Sequence, residues 1–130
     1  MPHTNIWESG GLYRKFTGTI SGEEVLRANF ELHADPNFQA INYIINDFTQ
    51  VTGHSIEVAH TKVYASTDEI IANTKGTLKI ALVINKDSLI ALANSYREEM
   101  IGNRFDCAIF QVIEDARKWV SDNNNISHET

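Results

Sequence analysis

The stretch Ala40-Ile41-Asn42-Tyr43-Ile44-Ile45-Asn46-Asp47 is short, nearly continuous in apolar residues and enriched in β-branched ones. That is the pattern of a strand covered on both faces. Such a strand needs helices on both sides, so it selects an α/β layer architecture. Leu78-Lys79-Ile80-Ala81-Leu82-Val83-Ile84 repeats the pattern, and Phe105 to Phe110 supplies a last strand. Upstream, Asn5 to Glu8 and Leu12 to Ile20 flank Ser9-Gly10-Gly11 and read as a hairpin.

The segments between strands carry helical signals. Ser21-Gly22-Glu23-Glu24 is a capping box, with Val25, Ala28, Asn29 and Leu32 at helical spacing behind it and Asp35-Pro36 as a stop. Ile56, Ala59, Val63, Thr67, Ile70, Ile71 and Thr74 mark the expected inner face of a second helix that ends near Lys75-Gly76. A third helix follows Asn85-Lys86-Asp87-Ser88, with Leu89, Leu92, Ala93, Tyr96 and Met100 turned inward. Ile113, Ala116 and Val120, with Trp119 beside them, give the last helix its packing stripe. The expected order is β-β-α-β-α-β-α-β-α. Right-handed crossovers then give a mixed, mostly parallel sheet flanked by helices, with the first hairpin as an antiparallel edge. One domain is expected over residues 1–121, followed by a polar tail over 122–130.

Composition narrows the partners. The chain has 130 residues, with 11 Lys+Arg against 17 Asp+Glu and a formal charge of −6. Phosphate affinity comes from clustered basic residues, so nucleic acid is not an expected partner. Trp7, Tyr13 and Phe16 alternate with Arg14 and Lys15 as a half-buried strand would, which outweighs a base-stacking platform at this charge. No apolar run approaches the ~20 residues of a spanning helix, and the N-terminus lacks the pattern of an export signal. No integral membrane association and a cytoplasmic location are therefore expected. The single cysteine, Cys107, reads as a small buried hydrophobe in the last strand.

The search for chemistry is mostly negative. Neither phosphate-cradling glycine motif occurs, and no Gly-x-Ser-x-Gly elbow is present. The five histidines are dispersed; Glu57 and His60 at i, i+3 are the only short ligand spacing, and a solvated helix face explains them as well. No catalytic residue, metal or cofactor is implied. A ligand site is expected outside the carboxyl ends of the strands, where Asp47, Thr49, His54 and Ser55 would meet Asn85, Lys86 and Asp87. Each has a structural alternative: Ser55, Asn85 or Asp87 as helix caps, Asp47 and Thr49 in turn hydrogen bonds, His54 solvated.

Several segments together resemble the SpoIIAA-like family of small bacterial proteins, whose fold is that of the STAS domain. They are Gly11-Leu12-Tyr13 with Phe16-Thr17-Gly18-Thr19, the helix opening Gly22 to Asn29, the stop Asp35-Pro36-Asn37-Phe38, Tyr43 to Val51, Leu78 to Val83, and Phe110 with Glu114 to Val120. The resemblance implies a mixed sheet flanked by helices, in agreement with the element order. Anti-sigma-factor antagonists of this fold carry a phosphorylated serine in an Asp-Ser-Ser-Gly-like stretch. Here Thr52-Gly53-His54-Ser55-Ile56-Glu57 stands in its place, so the motif is missing although Ser55 keeps a hydroxyl for a phospho-switch at a helix N-terminus.

The leading functional expectation is a non-enzymatic regulatory module that works through contacts with a protein partner. A homodimer fits the size, with Trp7 of the edge hairpin as an interface candidate or a core residue. The alternative is a carrier for a small apolar ligand or lipid, with Tyr64, Tyr96, Met100 and Ile101 lining a cavity. A third reading is an enzyme using Asp47, His54 or Lys86.

Overall fold

A computed structural model describes residues 3–122. A hairpin of β1 (His3–Glu8) and β2 (Gly11–Ile20) opens the chain, followed by α1 (Gly22–Ala34) and a 3-10 turn (Pro36–Ala40). Then come β3 (Tyr43–His54), α2 (Val58–Lys75), β4 (Leu78–Val83), α3 (Asp87–Glu99), β5 (Phe105–Phe110) and α4 (Ile113–Val120). The strands form one sheet in the order β1-β2-β3-β4-β5, with β1 antiparallel to β2 and every other neighbouring pair parallel. The element order and the mixed sheet are as the sequence predicts. The tail expected over 122–130 lies, from 123 onward, outside the described residues.

Strand order explains where the helices go. From β2 to β5 the chain always steps to the next strand in one direction, and right-handed crossovers then place every connecting helix on the same face. Leu12, Phe16 and Ile20 of β2, Ile44 and Val51 of β3 and Ile80 and Leu82 of β4 share one core with Val25 and Leu32 of α1, Tyr64 and Ala72 of α2, and Leu89 and Tyr96 of α3. Only α4, which follows the last strand, folds onto the other face. There Ile45, Ala81 and Val83 meet Ala116 and Val120. All six residues of β4 are buried because alternate side chains enter the two cores.

The helix starts differ in how well their residues announce them. Ser21 accepts from Glu24 N–H at 3.1 Å while Glu24 accepts from Ser21 N–H at 2.8 Å, the expected reciprocal cap. The second helix departs from expectation at both its start and its face. It begins at Val58, so Ser55 is not its cap; the His60 ring takes the Glu57 N–H on Nδ1 at 2.9 Å instead. Its buried residues are Thr61, Tyr64, Ala65, Asp68 and Ala72. Val63 and Ile70, expected inside, are 45% and 69% exposed. The apolar stripe misled because the inner face contains Asp68 and Thr61, which are satisfied there by hydrogen bonds rather than excluded for their polarity.

The third strand also runs longer than expected, through residue 54 rather than ending at Asp47. Beyond Asp47 it pairs with β2 alone, and its register slips twice, between Lys15/Thr17 and Gly18/Thr19 of β2. At the first slip Asp47 Oδ1 accepts from Thr49 N–H at 2.9 Å and from Thr49 Oγ1 at 2.7 Å, bracing the bulge.

Candidate functional site

The residues expected at the strand ends are divided between two places. Asp47 is buried on the α4 side and accepts from the Tyr13 hydroxyl at 2.5 Å. His54 contacts Ser88 of α3 through Nε2 at 3.2 Å, and its Nδ1 accepts from Ile56 N–H at 3.1 Å. With Nδ1 accepting, the ring proton sits on Nε2 and is shared with the serine. Ser55 is exposed, and its N–H donates to Ile20 O at 3.0 Å. Asn85 is exposed as well; Lys86 caps α3 through its backbone carbonyl, and Asp87 is the first helical residue. Asp47 and Thr49 hold the bulge, while His54 joins the end of β3 to the start of α3. Neither Glu57 nor His60 is a ligand pair: His60 caps α2 and turns Nε2 toward Glu23 at 3.4 Å. Among the described residues no group of three or more His, Cys, Asp or Glu is placed to hold a metal ion.

A more coherent constellation lies between the sheet and its three-helix layer. A cavity of about 90 Å³ opens there, walled by Val25 and Leu32, Ile44, Ile80, Leu82 and Leu89. At roughly 10–15 Å³ per water molecule this is space for about six to nine waters, a small pocket by the standard of drug-sized sites. Tyr64 and Tyr96 line it. Met100 and Ile101 do not: Met100 is buried in the core, and Ile101 lies just past α3 with 79% of its surface exposed.

Polar groups enter this apolar space from every layer. Arg14 takes an inward position of β2, between Leu12 and Phe16, and is only 3% exposed. Its Nε donates to Asn46 Oδ1 at 2.9 Å and its Nη2 to Asn29 Oδ1 at 2.7 Å, and its Cζ stands 5.2 Å from the Phe16 ring centre. Nη1 has no partner. Burial pulls the guanidinium down to about 10, which leaves it charged at neutral pH. Asp68 of α2 also lines the pocket; Oδ2 accepts from the Tyr96 hydroxyl at 2.5 Å, and Oδ1 lies 3.4 Å from His33 Nε2. The second nitrogen of His33 is buried with no hydrogen-bond partner among the described residues.

Five polar residues of this network, Arg14, Asn29, His33, Asn46 and Asp68, went unassigned to a site in the sequence. The signal was there in three cases. Arg14 has the inward parity of Leu12 and Phe16, Asn46 that of Ile44 and Phe48, and Asn29 falls on the inner stripe of α1. A polar residue at an apolar position of an otherwise regular pattern marks either a satisfied core group or a site. Asp68 gave no such mark, because the inner face of α2 was itself placed elsewhere.

No family model matches the sequence, and no curated protein matches it. Among solved structures, the fold is similar to that of an uncharacterized protein of the DUF3478 family with a SpoIIAA-like fold, from Shewanella loihica PV-4. The match has a TM-score of 0.50 and 15% identity, and covers 91% of this chain and 91% of that chain. The SpoIIAA-like fold expected from the sequence segments is thus shown in three dimensions.

Proposed function

We propose that this chain is a non-enzymatic binding module whose ligand site is the pocket between the sheet and α1, α2 and α3. The observation that carries the reading is Arg14: a buried cation on the wall of an apolar cavity, with one amino group lacking a hydrogen-bond partner among the described residues. Leaving a buried donor unsatisfied costs about 1–3 kcal/mol, more for a charged group, and a ligand that fills the cavity recovers it. Contacts through the surface alone have less to support them. The exposed large apolar side chains among the described residues are Ile6, Phe30, Ile101 and Val112, each in a different segment, and Val58, Val63 and Ile70 of α2; apolar residues spread in this way are ordinary on a folded surface.

Binding is favoured over catalysis by the state of the ionisable groups. Catalysis near neutral pH uses groups tuned toward 7. Here burial pushes the Cys107 thiol up to about 12, and burial reinforced by the Asp47 hydrogen bond pushes Tyr13 up to about 12 as well. Both are protonated and inert at neutral pH.

The test is an NMR titration of the full chain with a collection of small organic molecules. Shifts should concentrate on Ile44, Leu82, Leu92 and Tyr96, and should vanish in Ala93→Leu, which fills the cavity from α3. Molecules that leave these resonances unmoved, or that bind the filled variant equally well, would overturn the reading.

A further inference from the structure

We propose that the ligand of this pocket is a small apolar monocarboxylate, held by its carboxylate on Nη1 of Arg14; the inference rests on the pocket being the ligand site. A guanidinium has five N–H donors in a rigid fork. In this pocket Nε and Nη2 meet the side-chain oxygens of Asn46 and Asn29, and the Phe16 ring stands beside Cζ. All three partners are neutral. A buried cation is thus oriented on two sides by groups that fix its plane, while Nη1 is buried with no hydrogen-bond partner among the described residues.

Asp68, the acidic residue that lines the pocket, does not supply the missing contact. Its Oδ2 is taken by Tyr96 and its Oδ1 faces His33, so its charge reaches Arg14 through space and not through a hydrogen bond. A carboxylate provides what Arg14 lacks, a single negative charge and planar acceptors matched to the fork. A phosphate fits less well. Among the described residues Arg14 is the only Lys or Arg on the pocket wall, and a second negative charge would stand near Asp68 without a cation of its own.

Size and wall chemistry set the rest of the molecule. Space for about six to nine waters corresponds to a similar number of non-hydrogen atoms, enough for a short branched acid and too little for a long acyl chain. Away from the polar groups, Val25 and Leu32 of α1, Ile80 and Leu82 of β4 and Leu89 and Leu92 of α3 give aliphatic wall, so the remainder of the ligand is hydrocarbon.

The experiment compares isovalerate with two neutral molecules of the same shape, 3-methylbutanamide and 3-methylbutan-1-ol, by calorimetry and NMR on the full chain. The acid should bind at least about tenfold more tightly than either, the low end of what a charge-assisted hydrogen bond contributes. Asn29→Asp supplies Arg14 with an internal carboxylate and does not remove a core group. It should weaken isovalerate by about tenfold or more while the neutral molecules change by less than about threefold. Arg14→Met should erase the preference for the acid. If the neutral molecules bind in the pocket as tightly as the acid, the monocarboxylate is wrong and the pocket reading stands. If none of the three shifts the pocket resonances, both are wrong.

Discussion

The Tyr96 hydroxyl donates to Asp68 Oδ2 at 2.5 Å and so ties α3 to α2 over the pocket. Burial first, and the charge of Asp68 second, hold the phenol protonated well above its ordinary range, so it donates at neutral pH. Tyr96→Phe keeps the ring and leaves a buried carboxylate oxygen without its partner. The variant should lose about 1–3 kcal/mol, read as a lower urea midpoint with an unchanged slope.

Gly22, the first residue of α1, is a contact point for α2. A Cβ built there would stand 2.4 Å from atoms of the His60 ring. That ring is fixed by the Glu57 N–H it accepts, and Tyr64 next to it donates to Gly22 O at 2.7 Å. Gly22→Ala should therefore destabilise by about 1–3 kcal/mol although alanine is the better helix former, since overpacking outweighs propensity. Pairing it with His60→Ala should recover part of the loss in a double-mutant cycle.

Glu8 of β1 and Arg117 of α4 form a two-pronged ion pair at 2.7 and 3.0 Å, and Tyr43 donates to the same carboxylate at 2.6 Å. The hydrogen bonds from Arg117 hold the Glu8 carboxyl below its ordinary 4.5. With a depressed pKa in the folded state, the stabilisation is complete above the ordinary value and is lost as pH falls through the folded one. Glu8→Gln should cost up to about 1 kcal/mol at pH 7, with the gap to the parent protein closing as denaturation is repeated on the acid side of pH 4.5.

Ser55 stands three residues before α2, exposed and outside its cap. A capping serine costs ~1 kcal/mol when replaced by alanine. Ser55→Ala should instead leave thermal and urea midpoints unchanged within about 0.5 kcal/mol, whereas Ser21→Ala, which removes a working cap, should cost ~1 kcal/mol.

Much of the architecture was legible because it depends on local pattern. Both faces of β4 are covered, so its residues read as a continuous apolar run; the Ser21 to Glu24 box is satisfied within one turn of chain. The third strand and second helix were harder for the same physical reason in reverse. Thr49 to His54 looks like a loop, yet it is extended because β2 continues alongside and accepts two register slips. Val63 and Ile70 look like a core stripe, yet α2 presents Asp68 to the sheet because Tyr96 and His33 are there to receive it.

The candidate site shows the same division. Hydrophobic periodicity and capping chemistry act over a few residues, so the residues by themselves determined the element order, the antiparallel edge and the placement of Cys107 in the last buried strand. The pocket depends on which distant polar groups find one another. Arg14 is 15 residues from Asn29 and 32 from Asn46, and Tyr96 is 28 from Asp68. Only the tertiary structure decided that the two asparagines take two edges of a guanidinium on the wall of an apolar cavity and leave its Nη1 buried without a partner among the described residues, because satisfaction of a buried charge is a property of the assembled layers and not of any one segment.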